Sequence, residues 1–210
     1  MMILQLRNLS TLNHSFQPSS FYHRLFFLIY GVFCSAFAIA NDCPQYKFWE
    51  LNVAPIIKGM PQVDNGDNIS GGRIAVTNFF YNYKNTIEVG LDLSAAYLKT
   101  SREKVHSPFS KSISIFSPAI IGRWNIIQIG NIQPYVSLGI GPSYLSNSDF
   151  EGRSLGNNFS FQDIAGVGLK INGQHEFTAG LYMIHYSNGG LKNENRGITT
   201  PLFFQFGYRI

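Results

Sequence analysis

Two residues near the end of the chain have types and spacing that could do chemistry. His185 and Ser187 close the run FTAGLYMIHYS, residues 177–187. Residues two apart in a β-strand point to the same side. A strand here would therefore set an imidazole beside a hydroxyl. Such a pair suits nucleophilic catalysis: the imidazole takes the serine proton and the alkoxide attacks a carbonyl carbon. Asn188, Gly189 and Gly190 follow at once, and Asn195 and Gly197 come soon after. Asparagine amides and glycine-rich backbone N–H groups can bind the oxyanion of a tetrahedral intermediate. The same residues also admit a plainer reading, in which His185 marks an interface and Ser-Asn-Gly-Gly opens a loop, since these types form turns.

The element that must hold the pair is a strand with one apolar face. Phe177, Ala179, Leu181 and Met183 share the parity of His185 and Ser187. The polar pair thus continues an apolar wall. Composition says what that wall meets. Charged residues are only 13% of the 210, against roughly 25% in an average soluble domain. Aromatics reach 15%, and there are 20 glycines. No segment after residue 40 runs the roughly 18 apolar residues of a membrane helix. Few charges, many aromatics and no spanning helix suit a transmembrane β-barrel, whose strands alternate lipid-facing and lumen-facing residues. A polar group on the lipid side is costly and usually functional.

Eight strands are expected: residues 47–57, 73–83, 86–99, 113–127, 132–145, 159–171, 176–186 and 200–210. In the third, Ile87, Val89, Leu91, Leu93, Ala95 and Tyr97 share one face; Glu88, Gly90, Asp92, Ser94 and Ala96 share the other. The fifth sets Val136, Leu138 and Ile140 against Ser137, Gly139, Gly141 and Ser143. Small inner residues suit the crowded lumen of a narrow barrel. The connections alternate. Short ones are Lys84-Asn85, residues 128–131 and Asn172-Gly173, the last favouring a type I′ turn. Long polar ones are residues 58–72, 100–112, 146–158 and 187–199. That rhythm belongs to outer-membrane barrels, with short periplasmic turns and long outer loops. The fold class expected is all-β, an eight-stranded antiparallel transmembrane β-barrel, multi-pass in the cell outer membrane. The last strand, with Leu202, Phe204, Phe206, Tyr208 and Ile210 on one face, resembles the C-terminal assembly signal of outer-membrane proteins, although Ile210 stands where Phe is usual.

Residues 1–40 read as an address. Residues 25–40, LFFLIYGVFCSAFAIA, are an apolar stretch preceded by Arg24 and ending in an A-x-A pattern, Ala38-Ile39-Ala40. It is short for a spanning helix and fits a signal peptide. The division expected is 1–40 signal peptide and 41–210 barrel. Cleavage would leave Cys43 as a lone thiol, with no disulfide and no metal cluster suggested. The net charge of +4 is scattered, and nothing resembles a nucleic-acid footprint.

The run from His185, HYSNGGLKNENRG, resembles the active-site segment of the PagL family, the lipid A 3-O-deacylases. That family's pattern is H-x-S-N-x-G-(L/I)-K followed by N-x-G, near the end of an eight-stranded outer-membrane barrel. The matching residues are His185, Ser187, Asn188, Gly190, Leu191, Lys192, Asn195 and Gly197. The resemblance implies that Ser187 is the nucleophile and His185 the general base. Asn188, Gly190 and Asn195 would shape the site or the oxyanion hole. No metal or other cofactor is implied. The partners implied are lipid A, or lipopolysaccharide, and the outer membrane, with no nucleic acid; pairing of two copies as a homodimer is left open. Lys192 and Arg196 would meet lipid A phosphates or serve as plain loop charges. One position departs. Thr199 stands where the family has a glutamate, the third member of its triad, and Glu194 lies nearby in the loop. Either could serve as the third member. The function implied is hydrolysis of the ester-linked 3-hydroxyacyl chain at the 3-position of lipid A. A non-catalytic structural or adhesive barrel, and a lipid A acyltransferase barrel, stand as alternatives.

Overall fold

The computed structural model describes residues 48–61, 68–101, 110–191 and 197–210. The expected signal peptide at 1–40, Cys43, Lys192, Glu194, Asn195 and Arg196 lie outside the described residues. Every element described is a strand: β1 Phe48–Ile56, β2 Ile69–Tyr83, β3 Ile87–Thr100, β4 Ser112–Asn125, β5 Ile132–Leu145, β6 Asp149–Phe150, β7 Arg153–Ser154, β8 Phe159–Ile171, β9 Phe177–Ser187, β10 Ile198–Thr199 and β11 Phe203–Arg209. Each wall strand pairs antiparallel with the next, β8 with β9 and β9 with β11, and β11 returns to β1. The result is a closed eight-stranded antiparallel barrel, with β10 a short forward piece of the last wall strand. Closure removes every edge that lipid would otherwise leave unpaired.

The alternation in the sequence is the alternation in the wall. Ile87, Leu91, Leu93 and Tyr97 of β3 face outward, while Glu88, Asp92 and Ser94 are buried. Near the short-turn end the lumen holds a charge network. Glu50 accepts two hydrogen bonds from Arg123, at 2.8 and 2.9 Å, and one from Arg209 at 3.1 Å. Glu88 accepts from Lys170 at 3.1 Å and from Arg209 at 2.6 Å. The Arg123 guanidinium also lies 4.4 Å from the Tyr135 ring centre and 4.8 Å from that of Phe79. At mid-height Arg73 pairs with Asp92 and donates to Gln205 at 2.9 Å. Towards the long-loop end the lumen turns apolar, with Leu98, Leu145, Phe150, Leu155, Ile184, Tyr186 and Phe203 buried.

Four expectations need correction. The second strand begins at Ile69 and not at 73, because its partner β3 runs on to Thr100 and keeps pairing. The last wall strand is interrupted: Pro201 has no N–H to give a ladder, so β10 ends at Thr199 and β11 starts at Phe203. The gap is bridged through Thr200, whose N–H reaches Ile184 O at 2.8 Å and whose Oγ1 accepts from Ile184 N at 2.9 Å. The loop at 146–158 is not plain: it folds as the β6–β7 hairpin, pinned by Phe150 and Leu155, both fully buried. Finally, Gly173 does not take the left-handed backbone that a type I′ turn needs. Lys84 (φ 49°) and Asn85 (φ 56°) do.

Candidate active site

The register of β9 decides where the pair points. Tyr182, Ile184 and Tyr186 are each 1% exposed and face the lumen. Tyr182 donates there to the Tyr135 hydroxyl at 3.1 Å. Alternation then turns Met183, His185 and Ser187 outward, half-buried on the lipid-facing wall at its long-loop end. The expected placement of His185 and Ser187 on one outer face is therefore what the structure has.

The neighbouring strands complete the cluster. On one side the return of β10 pairs Thr199 with His185. The Thr199 hydroxyl and His185 Nδ1 are 2.8 Å apart. On the other side β8 pairs Asp163 with His185 and Phe161 with Ser187. Asp163 is exposed on the outer surface. Three strands thus set Asp163, His185 and Thr199 in a row across the outer wall, with Ser187 one step nearer the loops. Among the described residues no hydrogen bond joins Ser187 Oγ to the imidazole. Such bonds are often long in substrate-free sites and tighten in the reacting complex. With Nδ1 turned to Thr199, the Nε2 atom is the one left to act as base; this tautomer is assigned from the hydrogen bond.

The loop beyond β9 is shaped by Asn188 and two glycines. Asn188 is fully buried. Its Nδ2 donates to Leu155 O at 2.8 Å, and its Oδ1 accepts from Gly190 N at 2.9 Å. Gly189 (φ 63°) and Gly190 (φ 81°) turn the chain through the left-handed region that glycine tolerates. Gly197 comes back against the histidine so closely that a Cβ there would stand 2.8 Å from His185 Nε2. Arg153 of the β6–β7 hairpin donates to Gly197 O at 3.1 Å. The hairpin therefore ties down both ends of the site loop. Glu194 and Asn195 belong to the part of that loop outside the described residues.

Two contributors were not foreseen. Asp163 could have been found: in β8 the outward parity runs Phe159, Phe161, Asp163, Ala165, Val167, Leu169, and one acid interrupts it. Arg153 gave no comparable signal, since a loop arginine has no parity to violate.

Taken together, the site sets a serine hydroxyl, an imidazole with an oriented ring and a carboxylate of the neighbouring strand on the lipid-facing side of the wall. Comparison with known proteins agrees in kind. A relative from Pseudomonas aeruginosa, described as lipid A deacylase PagL, is 40% identical over 75 residues, which are 35% of this chain and 42% of that protein. One from Bordetella bronchiseptica, described in the same words, is 33% identical over 64 residues, 30% of this chain and 35% of that protein. The matches thus span about two fifths of the relatives' length. The crystal structure of the outer membrane enzyme PagL superposes with a TM-score of 0.51 at 20% identity, covering 78% of this chain and 98% of that one, and shares the fold. The family model for lipid A 3-O-deacylase (PagL) matches residues 72–209. The chain is an outer-membrane β-barrel and belongs to the lipid A 3-O-deacylase (PagL) family.

Proposed function

We propose that this protein is a serine esterase that removes the ester-linked 3-hydroxyacyl chain from the 3-position of lipid A within the outer leaflet. The observation that carries the reading is the outward placement of His185 and Ser187 on the lipid-facing wall. A soluble substrate would find no access there, while an acyl chain lying along Leu181 and Met183 would bring its ester alongside.

In this reading His185 Nε2 takes the proton of Ser187 Oγ as the oxygen attacks the ester carbonyl. The oxyanion is met by donors of the site loop, with Asn188 and Gly190 shaping it and Asn195 contributing. The tetrahedral intermediate collapses. The imidazolium returns its proton to the departing 3-oxygen of the sugar, leaving an acyl-Ser187. Water, deprotonated by His185, then attacks the acyl carbonyl; the bond to Ser187 Oγ breaks, the serine takes the proton back from the imidazolium, and a 3-hydroxy fatty acid is released. Residues 1–40 serve the same reading as a signal peptide removed after Ala40, so that the mature chain begins at Asn41.

The test is mass spectrometry of lipid A from cells with and without the protein. Wild type should convert lipid A to a species lacking one 3-hydroxyacyl chain. Ser187→Ala and His185→Asn should each lower conversion by at least about 10³-fold while the barrel keeps its heat-modifiable gel migration. The double variant should be scarcely worse than either single, because the two act as a unit. Unchanged lipid A with wild type would leave a structural barrel. Transfer of the acyl chain to an acceptor, with no free fatty acid, would make the protein an acyltransferase.

A further inference from the structure

We infer that Asp163 is the acidic partner of His185, so that the task of one triad carboxylate is divided in this chain between two residues on opposite sides of the histidine. Thr199 holds the ring and Asp163 supplies the charge. The inference rests on the esterase reading above and deepens it.

The argument starts from what a hydroxyl can and cannot do. Thr199 Oγ1, 2.8 Å from Nδ1, can accept the Nδ1 proton and so fix the tautomer with Nε2 free. It is neutral, however, and offers little to the imidazolium that forms when Ser187 loses its proton. In a Ser-His-acid arrangement the acid does both tasks. Among the described residues the charge that Thr199 lacks is found on the neighbouring strand β8. Asp163 is directly opposite His185 in the β8–β9 register. Cross-strand partners have Cβ atoms about 4.5–5.5 Å apart. Both side chains stand on the outward face of the wall. Among the described residues the other groups around the ring do not replace Asp163. Thr199 comes from β10, and Arg153 reaches the carbonyl of Gly197 and brings positive charge. Lys192, Glu194 and Arg196 lie in the part of the loop outside the described residues.

A carboxylate on this face also needs a reason to exist. The rest of the outward row on β8 is apolar or aromatic, and an ionised group facing lipid is costly. At the edge of a low-dielectric medium a charge on the neighbouring strand acts more strongly on an imidazolium than it would in water. Asp163 is therefore a positioning and charge-stabilising residue acting through His185. It touches no reacting atom.

The full-length protein, purified in detergent, would be labelled at Ser187 with a fluorophosphonate probe, and the labelling rate followed against pH. This reads activation of the serine without requiring lipid A. Asp163→Asn should slow labelling by roughly tenfold or more, less than the full loss of a triad acid because Thr199 still fixes the tautomer. It should also move the acid limb of the profile to lower pH, since the cationic ring loses a favourable neighbour. Asp163→Glu should restore both. Thr199→Glu, which places a carboxylate at Nδ1, should speed labelling and shrink the cost of Asp163→Asn to within about twofold. Asp163→Asn that labels at the wild-type rate overturns the inference. So does a slower rate with an unmoved acid limb, or a cost undiminished in the Thr199→Glu background. Wild type that does not label overturns the esterase reading together with this one. Labelling without lipid A deacylation overturns the substrate alone and leaves Asp163 in its role.

Discussion

Two clusters of polar side chains sit in this barrel, one inside and one outside, and they are built on opposite terms. Inside, Glu50, Glu88, Arg123, Lys170 and Arg209 interlock, so that each acid meets at least two cations. Outside, Asp163, His185, Ser187 and Thr199 share one side-chain hydrogen bond among the described residues, that between His185 and Thr199. A buried charge is tolerable when it is paired, and the lumen satisfies that condition. The outer cluster leaves the imidazole and the serine hydroxyl with bonding capacity unspent, on a face where polar groups are disfavoured. The inner cluster closes on itself and holds the wall together. The outer one is open, as the proposed active site requires.

The comparison can be broken hardest from the inside. Arg123→Met removes the bidentate partner of Glu50 and leaves that fully buried carboxylate with Arg209 alone. Breaking one member of a buried ion pair typically costs about 3–5 kcal/mol. The temperature at which the folded gel band converts to the unfolded one should fall clearly. Ser187 labelling in the fraction that stays folded should match wild type, because the network lies at the other end of the barrel. Glu50→Gln in the same chain should recover much of the loss, since the under-compensated charge is then gone. A variant that melts normally would show the inner cluster to be no more structural than the outer.

How far the sequence carried the two clusters differs for a physical reason. Strand parity is a strong signal: the outward rows of β3 and β5 and the outward pair His185 and Ser187 were legible because every second residue obeys one wall. The inner network was legible only as positions. Glu88 was assigned to the inner face from its parity, but nothing local says that Arg123 and Arg209 will meet it from other strands. The hairpin in residues 146–158 was not legible, because Phe150 and Leu155 are single apolar residues in a polar run and their burial depends on the barrel mouth beneath them. Thr199 was singled out in the sequence as the departure from the family pattern. That it bonds Nδ1 follows from the β9–β10 register. The left-handed turn at Lys84-Asn85 shows a related limit: tertiary closure imposed a conformation that local residue preference had assigned to Asn172-Gly173.

A smaller change sharpens the comparison from the outside. Gly197→Ala should leave melting nearly unchanged and slow deacylation by about 10- to 100-fold. The new methyl would fall within 2.8 Å of His185 Nε2, and Tyr186 O stands 3.0 Å away on the other flank. The ring would have to move, which in the proposed mechanism misplaces the base relative to Ser187. The lumen on the other side of the same strand would not register the change. Lipid A mass spectrometry beside a heat-modifiability series separates the two effects; a parallel drop in both would mean that the outer site and the wall are not independent.

The smallest effect tests whether the two clusters are bridged. The β6–β7 hairpin sits over the apolar end of the lumen and reaches the site loop through two ties, Arg153 to Gly197 O and Leu155 O to Asn188 Nδ2. Arg153→Gln cuts the first and keeps the second. A hydrogen bond from a charged donor contributes about 1.5–3 kcal/mol at most, and the remaining tie together with the buried Phe150 should hold most of the geometry. Deacylation should therefore fall only a few-fold, roughly threefold to tenfold, and by less than in Gly197→Ala. Arg153→Lys should behave like the glutamine variant if the planar guanidinium geometry matters, and like wild type if charge alone does. Combining Arg153→Gln with Gly197→Ala separates the causes. If Arg153 acts only by pressing Gly197 onto the imidazole, the double variant should be no worse than Gly197→Ala, because the ring has already been displaced. If the losses instead multiply, the arginine contributes to the site by a route of its own, and the hairpin is a working part of the outer cluster and more than its support.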